Sequence, residues 1–546
     1  MRQFSRKKFI IFIILGIFAI SLVGYIYQWI KKKLLHVPIL GEIKSASYKV
    51  GHLLWNTPFK KTDRIHEVNV VIIGSGISGL SAANELFKKG ESNFVILELE
   101  PTAGGNARNG ENVAGKYPFG AHYLPLPSLE MKELIDFLKE IDVIESFSEN
   151  GLPIYNEQYL CAAPEDRLYI HGHWQSGIVP NFGLAEDDKK QIRRFQSEMK
   201  RLKHVKGSDG LYAFSLPLKN SSKDKTYANL DAISMEHYLR KEGYTSTYLY
   251  WYVNYCCKDD FGTSTEDTSA WAGLHYFCSR RGVAANSEEH DQLTWPEGNA
   301  WLMEKLKQPI ASNIRVGNLA YEVNKKGERY EVVSLDTITG NVEQWNCANI
   351  IFACPQFVIG HIRTNIAELK NRSYDAFHYS SWMVGNLLVK NNLIEKGGAP
   401  LSWDNVIYNS PALGYINSNA QYVQRHQPEI NLTYYYAFDE KQMSRKKLLQ
   451  TSHAELTHMM LNDLKQVYSD IEGSIIRYDA FIWGHAMIKP QVGFIWGEEK
   501  RKALTPILGS IYFAHTDLSG ISIFEEAFYQ GITAATAVLK KGNASN

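Results

Sequence analysis

The chain has 546 residues, 45% hydrophobic and 21% charged, with a formal net charge of +1. That length supports a large core and exceeds one simple domain, so two interleaved domains are expected. A near-neutral total lacks the basic excess of a nucleic-acid binder, while 31 Tyr and 12 Trp suit a large apolar ligand cavity.

The first element is apolar. From Phe9 to Ile30 there is no charged residue, and the run ends in Tyr25, Tyr27 and Trp29. About 20 apolar residues span a bilayer core, and aromatics favour the interface. This reads as an uncleaved single-pass anchor over residues 1–35. Basic residues flank it on both sides: Arg2, Arg6, Lys7 and Lys8 before, Lys31, Lys32 and Lys33 after. Ser5–Phe9, "SRKKF", resembles a twin-arginine export signal with its second arginine replaced by lysine; an ordinary basic flank is the other reading. The export reading favours the cytoplasmic membrane with the catalytic domain on its periplasmic, outer side. Residues 36–64 read as a linker with a short helix.

From Val68 the α/β pattern begins. "VNVVIIG" is a strand buried on both faces, Gly79 to Lys89 a helix closed by Gly90, and "NFVILE" (Asn93–Glu98) the next buried strand. Between strand and helix sits Gly74-x-Gly76-x-x-Gly79. Gly74 allows the tight turn, Gly76 lets the backbone approach a pyrophosphate, and Gly79 lets helix and strand pack closely. The helix N-terminus offers unpaired N–H groups to the phosphates, with Ile77 and Ser78 beside them. Glu98 ends the second strand, where a carboxylate accepts hydrogen bonds from ribose hydroxyls.

Further along, "LEMKELIDFLKEI" (Leu129–Ile141) is helical and a long aromatic-rich region follows. Arg315 to Pro355 reads as a β-meander with turns at Lys326-Gly327 and Thr339-Gly340-Asn341, ending in a buried strand at Asn349–Ala353. Residues 366–475 return to mixed α and β. The last piece is a strand, a loop and a long helix, with Ser522 and Glu525 spaced as a capping box. The six cysteines include no C-x-x-C pair and no zinc spacing, so no metal is expected.

The glycine motif alone does not separate NAD from FAD. Beyond Glu98, "ELEPTAGGNARNG" carries Gly104, Gly105 and Arg108. Here the sequence resembles the FAD superfamily of amine oxidases and phytoene-desaturase-like enzymes. The resemblance implies that the Gly-Gly pair and the arginine line the flavin-side phosphates. "YPFGAHYL" (Tyr117–Leu124) resembles the segment against the isoalloxazine ring, with Gly120 at the close approach and Ala121 and His122 following. "IYFAHTDLSG" resembles the C-terminal strand that delivers an acid, here Asp517, to the ribityl chain. The meander resembles the clasp around adenine, near Ala320.

The resemblance spans residues 65 to 546. It implies an α/β fold with an α+β substrate domain: a Rossmann-like FAD-binding domain of the amine-oxidase/glutathione-reductase type, with an interleaved substrate-binding domain behind the transmembrane helix. The FAD-binding domain takes residues 65–129, 300–365 and 480–546. The substrate-binding domain takes 130–299 and 366–479.

The implied chemistry is oxidation of the C–N bond of a small-molecule amine, with a hydride passing to flavin N5. Oxygen or a quinone would be the electron acceptor. Two departures stand out. Family amine oxidases carry a lysine that holds a water at N5; "SSWMVGNLLVK" puts Asn386 there. The last cysteine is Cys354, so a C-terminal covalent tether is ruled out and noncovalent FAD is expected. Aromatics from Tyr248 to Trp301, with Asp259, Asp260, Glu266 and Asp267 among them, are the expected substrate wall and suit a cationic amine. His485 is a candidate polar contact with substrate, with Trp483 and Phe494 as walls. The alternatives are a desaturase or isomerase of a lipid- or carotenoid-like substrate, and a noncatalytic or electron-transfer flavoprotein. The Gly-Gly-Arg and C-terminal motifs disfavour an NAD-dependent dehydrogenase.

Overall fold

The computed structural model describes residues 39–56, 62–288, 291–422 and 427–544. The expected anchor, its basic flanks and the Ser5–Phe9 motif lie outside the described residues. Among the described residues no helix is long and apolar enough to cross a membrane. The fold below is that of the unit from Gly41 on.

The elements that position the site are, in chain order, β1 (Val70–Ile73), α1 (Ile77–Lys88), β2 (Phe94–Leu97), α2 (Thr247–Phe261), β3 (Asn318–Lys326), β4 (Asn349–Phe352), β5 (Tyr379–Lys390), β6 (Glu429–Phe438), β7 (Ile475–Ile488), β8 (Ile511–Phe513) and α3 (Phe524–Ala544). A five-stranded parallel sheet runs Ile314–Arg315, β2, β1, β4, β8. Its three central strands β2, β1 and β4 are buried at every residue, which is why their sequences are unbroken apolar runs rather than alternating ones. Two helices, α1 and α3, pack against each other beside it. A Cβ on Gly531 of α3 would come 2.2 Å from the Ser78 carbonyl oxygen, so only glycine allows this approach.

β3 begins the meander. With Arg329–Asp336 and Val342–Cys347 it forms an antiparallel ladder, extended on one edge by Arg64–Glu67 and on the other by Arg363–Thr364. A bulge interrupts β3 between Ala320 and Glu322.

The third sheet has eight strands in the order Ile43–Ser45, β7, β5, β6, Gly414–Asn417, Asp404–Ile407, Asp166–Ile170, His173–Ser176. All of β5 except Lys390 is buried. This sheet corrects the linker reading of residues 36–64: Ile43–Ser45 is a strand, paired in parallel with Ala480–Ile482. β7 also runs unbroken through residue 480, where the sequence placed a boundary.

The capping box at Ser522 does not form. Helix α3 starts at Phe524, and the Ser522 hydroxyl instead accepts the Ile488 N–H at 3.1 Å. A complete box sits at Ser452 and Glu455. Helix α2 is capped by Ser246 and closed by Gly262 in the left-handed conformation, φ 63°.

Candidate active site

The glycine turn is built as its spacing demands. Gly74 sits at φ +104°, and a Cβ there would lie 2.7 Å from the Ala353 carbonyl oxygen. A Cβ on Gly79 would lie 2.0 Å from the Gly74 oxygen, so strand and helix touch through glycine. Gly76 differs: nothing lies within 4 Å of its Cβ position. It heads α1, which has no side-chain cap and no acid in its first turn. The first helical bond is Leu80 N–H to Gly76 O, and the N–H groups of Ile77, Ser78 and Gly79 meet no acceptor among the described residues. A buried helix start left without partners is a place for an anion.

Glu98 lies at the tip of β2. Its Oε2 accepts from Ser75 N–H at 2.8 Å and Ser75 Oγ at 2.5 Å, and its Oε1 accepts from Glu100 N–H at 2.8 Å. Burial pushes this carboxyl up against the pull of those donors. A carboxylate offers about four acceptor sites, so one remains for a hydroxyl. β3 is tied to the same place through Asn318 N–H to Glu98 O at 2.7 Å, which brings the buried Ala320 near it.

Gly104 and Gly105 pass close to Gly76, with a Gly105 Cβ position 3.2 Å from the Gly76 Cα. Arg108 reaches Glu100 Oε2 at 2.9 Å and Gly105 O at 3.0 Å. Its guanidinium lies 5.7 Å from the Phe481 ring and 5.4 Å from the Trp483 ring. Its remaining nitrogen, Nη2, is buried without a partner. At the far end Asp517 is fully buried. Its Oδ2 accepts from Tyr379 OH at 2.5 Å and Gln356 N–H at 2.8 Å. His515 Nδ1 stands 3.0 Å from Oδ1, but that ring nitrogen already accepts the Asp517 N–H and is therefore an acceptor itself. Asp517 Oδ1 is a buried acceptor without a donor. Bare N–H groups at α1, a bare guanidinium N–H and a bare carboxylate oxygen are the complements of a pyrophosphate and a polyhydroxyl chain. These residues fit FAD.

The segment Pro118–His122 is clamped to the eight-stranded sheet. Three adjacent strands each hold one carbonyl: Asn386 Nδ2 of β5 donates to Pro118 O at 3.0 Å, Trp483 Nε1 of β7 to Phe119 O at 2.6 Å, and Tyr435 OH of β6 to Gly120 O at 2.9 Å. Asn386 Nδ2 also meets Thr433 Oγ1 at 3.1 Å, and its Oδ1 is buried without a partner. Asn386 thus positions backbone with its amide nitrogen. A Cβ on Gly120 would lie 2.5 Å from Asn106 O, which also accepts the Ala121 N–H at 3.2 Å.

Beyond this segment, Tyr123, Tyr276, Asp259 and Asp404 are only partly buried, and the charge of Asp259 reaches Tyr123, Tyr276 and Asp404. Neither carboxylate makes an ion pair among the described residues; Arg280, whose charge reaches Asp259, is paired with Asp260 at 2.9 Å. Burial, reinforced by Asp260, pushes Asp259 up to about 7. Burial and the charges of Asp259 and Asp166 push Asp404 well up. Both acids also act on Tyr255 and Tyr435.

His485 belongs to the Asp517 end. It stacks on Phe357 at 4.1 Å and meets the Tyr379 ring edge-on at 5.5 Å, and burial holds it neutral, down to about 3. Phe494 packs under Gly520. The sequence reading missed Asp404, Trp403, Tyr379 and Tyr435. Only Tyr435, in the apolar run "NLTYYYAF", carried a strand signal.

A family model described as an NAD(P)-binding Rossmann-like domain matches residues 72–141. Solved structures are similar over most of the chain. A putrescine oxidase bound to putrescine aligns with TM-score 0.63 at 14% identity, over 87% of this chain and 100% of that one. A cyclohexylamine oxidase from Brevibacterium oxydans gives 0.62 at 12% identity, over 88% and 100%. A CLA-producing fatty acid isomerase from P. acnes gives 0.59 at 13% identity, over 86% and 98%. At these identities the likeness is one of fold, and the chain has the fold shared by these two amine oxidases and the fatty acid isomerase.

Proposed function

We propose that this chain is an FAD-dependent oxidoreductase that oxidises the C–N bond of an amine, with the cofactor held noncovalently. When bound, the flavin supplies a two-electron acceptor for a hydride from the carbon next to nitrogen. The chain's part is to bind and orient. The start of α1 and Arg108 would hold the pyrophosphate, Glu98 and Asp517 would take hydroxyls of the two sugar chains, and the clamped segment Pro118–His122 would fix the ring's neighbourhood.

One observation supports the substrate reading: Asp259 and Asp404 make no ion pair among the described residues while their charges reach the same tyrosines, Tyr255 and Tyr435, and we take the space they share as the substrate chamber. Two partly buried carboxylates outside any ion pair, with the nearby Arg280 already bound to Asp260, are costly unless a cation joins them, and tyrosine faces add cation–π attraction. An ammonium meets both needs. A fatty acid would bring its own carboxylate into the same field, which argues against the isomerase reading. The anchor at residues 1–35 would hold the enzyme at the cytoplasmic membrane, on its periplasmic side, with oxygen or a quinone as acceptor.

Anaerobic flavin bleaching tests this. Mono- and diamines are expected to bleach the oxidised band. A flavin-loaded protein that ignores every amine but reacts with an unsaturated fatty acid would overturn the reading.

A further inference from the structure

His122 stands apart from the other residues of the clamped segment. Its Nδ1 lies 3.3 Å from Gly120 O. A carbonyl only accepts, so Nδ1 carries the proton and Nε2 is left as a bare lone pair. Gly120 O also receives Tyr435 OH, which fixes the carbonyl and hence the ring. The imidazole lies 4.6 Å from the Tyr435 ring, 5.1 Å from Tyr123 and 5.4 Å from Trp403. Nε2 meets no partner among the described residues, yet it is not one of the buried, sealed polar atoms. It is therefore reachable, and the ring's neighbours Tyr123, Trp403 and Tyr435 set it on the side of the proposed substrate chamber.

The charged and titratable groups around the ring are Tyr123, next to it in the chain, with Arg280 reaching it, Tyr435 on β6, Asp404 next to Trp403, and Asp259 on α2, whose field reaches Tyr435. Burial holds the imidazole neutral, down to about 4. A neutral ring with a fixed tautomer is a hydrogen-bond acceptor for an N–H donor and a poor partner for a carboxylate or an alkyl chain.

We propose that His122 is a substrate-positioning residue: its Nε2 accepts an N–H of the bound amine while Asp259 and Asp404 balance the charge. This rests on the amine reading above. It moves His122 from the cofactor side, where the sequence resemblance put it, to the substrate side.

The test uses the flavin-loaded full chain and two variants. His122→Phe keeps a ring and removes the acceptor; His122→Gln keeps an acceptor. The probes are n-butylamine and 1,4-diaminobutane in anaerobic bleaching, with flavin content read from the visible spectrum. His122→Phe is expected to keep its flavin and to need at least about tenfold more amine for half-bleaching, with His122→Gln closer to wild type. Wild-type behaviour in His122→Phe would overturn the proposal and leave the amine reading standing. Loss of flavin from His122→Phe would return the residue to the cofactor. A wild type silent to both amines would sink the amine reading, and this proposal with it. A separate readout needs no turnover: 15N-histidine spectra should show His122 protonated at Nδ1, with an Nε2 signal that moves when 1,4-diaminobutane is added. A ring protonated at Nε2 would overturn the proposal.

Discussion

Ser47 holds Glu100 with two bonds, its N–H 2.6 Å from Oε1 and its Oγ 3.1 Å from Oε2. The same Glu100 Oε2 receives Arg108 Nη1. A few residues earlier, Glu42 N–H and Lys44 Nζ hold the two oxygens of Asp479 at 3.1 and 3.3 Å. Residues 42–47 are thus a strap, bonded at one end to the edge of β7 and at the other to the acid that orients Arg108.

The strap predicts an asymmetry between two truncations. A chain starting at residue 39 should keep its flavin and its melting temperature. A chain starting at residue 51 loses both bonds to Glu100 and exposes the edge of β7. Each bond to a charged group contributes about 1.5–3 kcal/mol, so melting should fall and flavin should leak on gel filtration. Equal flavin retention in the two would show that the strap does not support the cofactor site.

Two glycines separate folding from cofactor binding. Gly76 sits at φ −66° and faces open space, so Gly76→Val should fold normally yet lose flavin, because the new side chain occupies the phosphate approach. Gly531→Ala drives a methyl into the Ser78 carbonyl, 2.2 Å away. It should cost about 1–3 kcal/mol in thermal unfolding and move the start of α1 with it. A Gly76→Val protein that melts early, or one that keeps its flavin, would break the distinction.

Asn386 holds the ring-facing segment by Pro118 O, and Asn386→Ala would remove that bond, while the Thr433 hydroxyl keeps Ser418 Oγ at 3.2 Å. The expected cost is about 1–3 kcal/mol of stability. Half-bleaching should move to higher amine concentrations, and the pH dependence of bleaching should stay as it is. A changed pH profile would mean that Asn386 meets the reacting atoms rather than the backbone alone.

Much of this site was legible because local backbone chemistry writes it. The Gly74–Gly79 turn, the Glu98 tip and the Gly104–Arg108 run follow from strand, turn and helix-start rules within one stretch of chain. What was hidden depends on sheet topology. Asn386, Tyr435 and Trp483 lie far apart in sequence and converge only because β5, β6 and β7 are neighbours, in the pairings Val384–Tyr435 and Trp382–Trp483. Asp404 follows Trp403 in a stretch with no motif, and only the parallel pairing of its strand with Asp166–Ile170 sets it beside Asp166. The Ile43–Ser45 strand looked like linker because a three-residue edge strand has too few positions to show alternation.

Asp259 supplies a test with a sign. Its folded value is raised from 3.8 to about 7, with burial as the main cause. The folded state therefore holds its proton more tightly than the unfolded chain. This group's contribution is fully favourable below 3.8, is lost as pH rises to about 7, and is constant above that. The difference corresponds to at most about 4 kcal/mol of destabilisation at pH 8. Asp259→Asn removes the buried charge, so it should melt higher than wild type at pH 8 and close to it at pH 4. A bound ammonium reverses the preference, because it favours the ionised carboxylate. Half-bleaching by an amine should therefore need less amine as pH rises through about 7 in the wild type. That dependence should flatten in Asp259→Asn. A residue that costs stability when the chamber is empty and adds affinity when a cation fills it is one kept for binding. If Asp259→Asn were less stable at pH 8 and bound amines unchanged, Asp259 would be a structural acid and the cation chamber would lose its main support.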